Sequence, residues 1–204
     1  MRCPRCQYEN PTDAEFCLGY GLPPRRTVLK VMLGLGLGLR WSESAAGQSI
    51  DPRKARPQEG DRFVWAAGSR KGEIVGVADV PRGDSPLTAY PMDPTTRIVR
   101  DESRLNQVLL VHLDPAELSA ETRALTAEGI VAYSAVCTHT GCDSWEWQAQ
   151  TRTIKCPCHF STFDLKDGAH VLDGPAPRRL PALPLKVVDG ALAAGCLEKF
   201  NISS

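Results

Sequence analysis

The sequence has no excess of either charge and few stretches with the periodicity of long helices. Lysine plus arginine and aspartate plus glutamate number 24 each in 204 residues, so the formal net charge is zero. This balance argues against nucleic acid or another polyanion as a partner. The chain carries 16 prolines and 17 glycines instead. The composition therefore predicts an all-β, loop-rich domain, and the length leaves room for a terminal extension.

Four of the eight cysteines and two of the four histidines fall between residues 137 and 159. This stretch holds a Cys-x-His motif and, sixteen residues later, a Cys-x-x-His motif. The candidate metal ligands in the two motifs are Cys137, His139, Cys156 and His159. Two thiolates and two neutral imidazoles suit an unequal two-iron cluster, with thiolates on one iron and imidazoles on the other. Cys142 and Cys158 take matching places in the two motifs, which allows a disulfide between them.

These motifs resemble the two cluster-binding loops of disulfide-containing Rieske iron–sulfur proteins. The resemblance covers about the last 140 residues. It implies a Rieske fold, which is an antiparallel β-sandwich with a small cluster-binding subdomain. It also implies Cys137 and Cys156 on the inner iron, His139 and His159 on the outer iron, and a Cys142–Cys158 disulfide. A disulfide inside the domain requires an oxidising compartment.

Three further features of the same region bear on the resemblance. Residues 174–177, Gly-Pro-Ala-Pro, resemble the proline loop that covers a third side of the cluster. The resemblance implies that Ser161 donates its hydroxyl to a bridging sulfide. Phe163 stands where quinol-oxidising members carry a hydrogen-bonding tyrosine, which predicts a lower reduction potential. Phe160 departs from the family pattern, because many members have glycine there.

A structural zinc site built from the same four ligands is the alternative. Zinc fingers, however, usually present paired cysteines followed by paired histidines. A zinc site would also leave Cys142, Cys158 and the proline-rich segment without a role. The two-iron cluster is therefore the preferred hypothesis.

Residues 1–22 resemble a degenerate zinc ribbon. Cys3 and Cys6 form one Cys-x-x-Cys pair, but Tyr20 stands where the partner of Cys17 is expected. Three thiolates hold zinc less tightly than four. Weak zinc binding at Cys3, Cys6 and Cys17 and a vestigial ribbon without metal both remain open.

Residues 23–47 resemble a twin-arginine export signal. Arg25 and Arg26 precede an apolar, glycine-rich run with Lys30 and Arg40 at its edges. The run is shorter than the roughly 20 apolar residues of a membrane span. The segment predicts delivery of a folded, cluster-loaded domain to the periplasmic side of a bacterial inner membrane. Cleavage of the signal and its retention as a membrane anchor both remain open.

The rest of the chain predicts a linker and one β-rich domain. Residues 48–60 are polar, which predicts a linker, and the Rieske domain is expected over 61–204. Hydrophobic patterns predict strands at 62–67, 73–80, 106–113, 130–136, 144–148, 151–155, 183–188 and 191–194. Short helices are expected at 114–118 and 120–128, and a proline-rich surface loop at 81–97. A hydrogen-bonded role is expected for His112, and a packing role for Trp145 and Trp147.

A cluster of this type carries one electron at a time, so the chain is interpreted as a non-catalytic redox subunit. The two cluster motifs are most similar to the small Rieske subunit of arsenite oxidase. That resemblance implies a molybdenum-containing large subunit and a c-type cytochrome or similar carrier as partners. The alternative is the quinol-oxidising subunit of a cytochrome bc complex, with cytochrome b as the partner. A Rieske ferredoxin or oxygenase domain is disfavoured, because those proteins lack the second cysteine pair. A metal module without a redox role is a further alternative.

Overall fold

The structure is a computed structural model that describes residues 51–196. The predicted zinc ribbon, with Cys3, Cys6 and Cys17, and the predicted export signal lie outside these residues. The described strands, in chain order, are β1 (Arg62–Trp65), β2 (Leu87–Met92), β3 (Val108–His112), β4 (Ile130–Ser134), β5 (Glu146–Gln148), β6 (Thr153–Lys155), β7 (Thr162–Asp164), β8 (His170–Asp173), β9 (Leu185–Val188) and β10 (Ala191–Ala194). One α-helical turn, α1 (Ala120–Arg123), and 3-10 turns at Val77–Asp79, Arg104–Asn106 and Pro115–Glu117 connect them.

Two antiparallel sheets contain these strands. The larger sheet has the order β4-β3-β2-β1-β10-β9, and the smaller has the order β5-β6-β7-β8. This architecture confirms the predicted all-β fold with a small subdomain. Among the described residues, no helix is both long enough and apolar enough to cross a membrane.

Strands β3 and β4 form the centre of the domain because they are buried on both faces. Leu109 and Val111 point into a core shared with the smaller sheet, together with Tyr133 of β4. Leu110 and Ala132, which are paired in register, point into a second core on the opposite face. The alternation follows from the two-residue period of a strand.

The smaller sheet is an excursion of the chain between β4 and β9. The chain leaves β4 after Ser134 and returns at Pro181, whose carbonyl accepts the Ser134 N–H at 2.8 Å. The Tyr133 hydroxyl also donates to the Leu165 carbonyl at 3.0 Å. Both ends of the excursion are therefore held on the same buried strand, and this position fixes the predicted cluster loops.

The structure corrects two of the secondary-structure predictions. Residues 81–97 were expected to form a surface loop, but they contain β2, which lies between β1 and β3. Residues 73–80 were expected to form a strand, but they make isolated bridges at Ile74 and Gly76 and the 3-10 turn at Val77–Asp79. The terminal hairpin is confirmed, with positive φ at Asp189 (53°) and Gly190 (74°), as a type I′ turn requires.

The described part of the predicted linker contacts the domain. The Arg100 guanidinium donates to the Pro52 carbonyl at 3.2 Å, and the Asn106 side-chain amide donates to the Ala55 carbonyl at 2.8 Å. Pro57 is buried. Arg100 also forms a buried ion pair with Asp61, at 2.7 Å, at the start of the first strand.

Candidate metal centre

Two loops of the small subdomain repeat the same backbone hydrogen bonds. In the first loop the Cys137 N–H donates to the Cys142 carbonyl at 2.7 Å, and the Gly141 N–H donates back to Cys137 at 3.0 Å. In the second loop the Cys156 N–H donates to the Ser161 carbonyl, and the Phe160 N–H donates to the Cys156 carbonyl, both at 2.8 Å. Each loop thus begins at one of the predicted cysteine ligands and turns its predicted histidine toward the other loop.

The two predicted thiolate ligands lie side by side in the interior. Cys137 and Cys156 are 2% and 1% exposed, and neither is in a disulfide. Burial raises the pKa of the Cys137 thiol, and contact with Cys156 raises it further. The backbone N–H groups of His139 and Thr140 donate to the Cys137 sulfur and lower its pKa in part. Two adjacent buried thiols, one of them with backbone donors, are suited to a cation that stabilises both as thiolates.

The two predicted imidazole ligands face each other across the loops. The ring centroids of His139 and His159 are 4.6 Å apart, and the ring planes are nearly perpendicular at 86°. Nδ1 of His139 is buried, and no described group lies within hydrogen-bonding distance of it. A buried ring nitrogen without a hydrogen bond is costly unless it coordinates a metal, so the pair fits the outer iron of a cluster. His159, in contrast, is exposed.

The structure confirms the disulfide between Cys142 and Cys158. The sulfur atoms of these two residues and of Cys156 all lie within 4.8 Å of one another. The disulfide thus packs against a predicted iron ligand and joins the two loop tips. Cys196 lies outside this disulfide.

The proline-rich segment 174–177, which we call the proline wall, covers the second loop from the side. The Ala176 N–H donates to the fully buried Ser161 hydroxyl at 3.0 Å. This bond uses the oxygen as an acceptor and leaves the hydroxyl proton available for a sulfide or a thiolate. Gly174 approaches so closely that an added Cβ would lie 2.5 Å from the Ser161 Cα. The predicted third wall of the site is therefore in contact with the second loop.

A sequence model of the Rieske [2Fe-2S] domain matches residues 72–184, which is more than half of the chain. The chain belongs to the Rieske [2Fe-2S] domain family. Membership implies a [2Fe–2S] cluster as the cofactor, and the arrangement of Cys137, His139, Cys156 and His159 fits it. The assignment of each residue as a ligand stays a prediction that the buried thiols and the unpaired His139 nitrogen support.

Several curated proteins are similar to this Rieske chain. The cytochrome bc1 complex Rieske iron-sulfur subunit of Streptomyces lividans is 44% identical over 96 residues, which cover 44% of this chain and 56% of that protein. The putative respiratory nitrate reductase subunit Rieske of Haloferax mediterranei is 42% identical over 80 residues, which cover 39% of this chain and 36% of that protein. The matched region is less than two thirds of either relative.

Among solved structures, the plasma membrane Rieske protein of Synechocystis PCC 6803 is 25% identical. The likeness covers 59% of this chain and 94% of that chain, with a TM-score of 0.38. The soluble domain of Rieske protein II from Sulfolobus acidocaldarius is 22% identical, covering 59% and 79%, with a TM-score of 0.37.

Aromatic side chains pack together beside the Rieske loops. The Phe163 ring is fully buried and packs against Trp145, with ring planes at 79° and centroids 5.6 Å apart. The Trp145 indole N–H donates to the Ala135 carbonyl at 2.8 Å, just before the first loop. The predicted packing role of Trp145 and Trp147 is confirmed, since both lie against the core. His112 is hydrogen-bonded, as predicted, with Nδ1 2.9 Å from the Val80 carbonyl oxygen.

Two residues that brace the first loop were not predicted from the sequence. The Arg104 guanidinium donates to the Gly141 carbonyl. The Thr138 hydroxyl donates to the Arg178 carbonyl at 2.6 Å and so joins the first loop to the segment that follows the proline wall. Neither contact has a local sequence signal, because each joins residues more than 35 positions apart.

Proposed function

We propose that this Rieske chain is the electron-transfer subunit of a larger respiratory oxidoreductase. The observation that carries the proposal is the pairing of two buried thiols with two facing imidazoles under a disulfide. When bound, the [2Fe–2S] cluster supplies one-electron chemistry. Because such a cluster moves single electrons and by itself makes and breaks no substrate bonds, we assign substrate chemistry to a partner.

Each residue of the site has its own role in this electron transfer. Cys137 and Cys156 would hold one iron in a water-excluded environment, where the N–H groups beside Cys137 stabilise its thiolate charge. His139 and His159 would hold the other iron. His159 is exposed, so its ring can meet a partner directly. Ser161 offers a hydroxyl proton toward the sulfur atoms.

Two partner complexes are candidates, and each has a supporting observation. Relatives that are bc1 Rieske subunits favour a quinol-oxidising cytochrome complex. Phe163, which lacks a hydroxyl, favours a lower-potential relay, as in an arsenite-oxidase-like complex with a molybdenum subunit. We place the cytochrome complex first, because its support extends over 96 residues rather than one side chain.

We further propose that the domain works on the periplasmic side of a bacterial inner membrane after twin-arginine export. The supporting observations are the Arg25-Arg26 pair with its apolar run and the disulfide, which persists only outside a reducing cytoplasm.

The cluster is tested on the full chain purified from its native host. We expect two irons and two acid-labile sulfides per chain and, after reduction, the low-average-g spin resonance signal of mixed His/Cys ligation. Replacement of His139 or His159 by alanine should abolish the signal. Stoichiometric zinc in protein made with ample iron would contradict the proposal. In the co-purified complex, b-type haem would favour the quinol-oxidising assignment, and molybdenum would favour the arsenite-oxidase-like one.

A further inference from the structure

Phe160 holds a backbone conformation that suits glycine. Its φ is 64°, and the residue in the equivalent hydrogen-bonding position of the first loop is Gly141, with a φ of 79°. For any residue with a Cβ, the left-handed region costs free energy that glycine avoids. Glycine at position 160 would spare the second loop this cost in free energy.

Neighbouring groups prevent the Phe160 backbone from relaxing. Its N–H is bonded to the Cys156 carbonyl at 2.8 Å. On the other side, an atom at the missing Cβ of Gly174 would lie only 3.1 Å from the Phe160 carbonyl carbon. The loop is thus fixed between a predicted iron ligand and the proline wall, and the side chain must project outward.

The outward-pointing Phe160 ring gains little stabilisation from contacts with its own chain. The Phe160 side chain is 59% exposed, beside the exposed His159. The Lys155 ammonium lies over the Phe160 ring, 4.9 Å from its centroid. A cation–π contact at an exposed site is weak. Single exposed apolar residues are common, but they are not usually held in a strained backbone.

We propose that Phe160 is the specificity-determining contact through which this chain docks on its redox partner, an inference that rests on the proposed function. The ring enters an apolar recess on the partner, beside the partner's redox group that faces His159. Lys155 lies over the same ring, so the recess carries a carboxylate at its edge that faces the ammonium. Burial of the ring in the complex offsets the strain that the free chain carries.

The test uses the full, cluster-loaded chain and the partner complex purified from the native host and depleted of this chain. Rapid mixing gives the second-order rate constant for electron transfer at dilute partner and the first-order limit at saturation. We expect Phe160→Gly to lower the second-order constant at least tenfold. The limiting rate and the reduction potential should stay unchanged, and the thermal midpoint should be no lower than that of the wild type. Phe160→Leu, which keeps an apolar side chain, should lose less.

Two further variants complete the test. Lys155→Gln should lower the second-order constant severalfold at low salt and weaken its salt dependence, because the proposed ion pair is lost. Ile74→Ala removes another exposed apolar side chain, beside β1 of the larger sheet, and should change nothing.

The failures are distinguishable. Equal second-order constants for Phe160→Gly and a functioning wild type would overturn the inference and leave the proposed function intact. A changed potential in Phe160→Gly would also overturn it, because the ring would then act on the cluster rather than on the partner. A wild-type chain that passes no electron to the complex would overturn the proposed function, and the inference with it.

Discussion

At the scale of single residues, we expect Ser161 and Phe163 to adjust the reduction potential of the predicted cluster. Ser161 is fully buried, and its oxygen already accepts the Ala176 N–H, so its proton is available to the sulfur atoms. Such a donor stabilises the more negative, reduced state, and hydrogen bonds to charged groups are worth about 1.5–3 kcal/mol. Phe163 keeps a buried ring without a hydroxyl. We therefore expect both residues to affect the reduction potential through the number of hydrogen-bond donors around the cluster.

We expect Ser161→Ala to lower the reduction potential and Phe163→Tyr to raise it, each by tens of millivolts. The scale follows from about 59 mV per 1.4 kcal/mol in a one-electron couple. The wild-type potential should lie in the lower or middle part of the range of roughly −150 to +300 mV. Protein-film voltammetry measures all three proteins. Ser134→Ala, which removes another buried serine that accepts a backbone N–H, is the control and should leave the potential unchanged. A high wild-type potential that neither change moves would contradict this account.

Gly174 gives a second prediction at the residue scale. Its φ is 90°, and an added Cβ would lie 2.5 Å from the Ser161 Cα and 2.7 Å from the Ser161 nitrogen. We expect Gly174→Ala to push the proline wall off the second loop, lower the unfolding temperature and speed cluster loss. Gly190→Ala is the matched control, because Gly190 also has a positive φ (74°) but nothing within 4 Å. The control should cost only the strain of about 1–2 kcal/mol. Equal losses in the two variants would show that strain alone explains the effect.

Among the elements, the strands predicted correctly were those with a strong local pattern. The all-apolar run of β3 and the Asp189-Gly190 hairpin needed no information from distant residues. Strand β2 was missed because prolines flank it and Pro91 lies within it. Pro91 is tolerated because β2 pairs with β3 only over Leu87–Ala89, so no bond to β3 is lost at that position.

The failed strand at 73–80 has a different cause. The Asp79 carboxylate accepts the Gly76 N–H at 2.8 Å and pairs with Arg70 at 2.6 Å. These bonds turn the chain into a 3-10 turn where the apolar alternation predicted a strand. The pairing of Asp79 with Arg70 depends on how the preceding turn folds, so the hydrophobic pattern alone does not predict it.

At the scale of the two loops, the disulfide is expected to control the lifetime of the cluster. Removal of the bridge leaves the predicted iron ligands in place but frees the two loop tips, which the bridge holds together. Cys142→Ser should therefore keep the spectroscopic signature of the cluster and lose it faster on warming. Loss is followed by the visible absorbance at several temperatures. Cys196→Ser, outside the disulfide, is the control and should match the wild type. Equal lifetimes in all three proteins would mean that the bridge is dispensable.

At the scale of the whole molecule, the sequence predicted which residues form the site better than it predicted the contacts that hold those residues in place. Cys-x-His and Cys-x-x-His are local patterns, so the ligand candidates could be found without a fold. The disulfide followed from the family resemblance and is confirmed. The contacts of Arg104 with Gly141 and of Gly174 with Ser161 could not be predicted, because they join segments that meet only in the folded domain. The equivalence of Phe160 and Gly141 likewise needed the backbone angles.

The same long-range assembly of the site gives a prediction about the path of the whole chain through the cell. The two loops that carry the predicted ligands meet only in the folded small subdomain. The proposed twin-arginine route carries folded proteins, so we expect the cluster to be inserted before export, in the cytoplasm. The disulfide, in contrast, forms in an oxidising compartment. We expect Arg25→Lys with Arg26→Lys to leave the chain in the cytoplasm with its cluster bound and with Cys142 and Cys158 as thiols. Cell fractionation, spin resonance on each fraction and thiol alkylation with mass spectrometry measure the three properties.

Arg40→Lys, at the far edge of the same apolar run, is the matched control and should be exported with the disulfide formed. A double variant that still reaches the periplasm would show that residues 23–47 are not a twin-arginine signal. A double variant that stays in the cytoplasm with the disulfide already formed would instead separate bridge formation from export. In that case the oxidising compartment could no longer be inferred from the bridge, and the localisation would rest on the arginine pair alone.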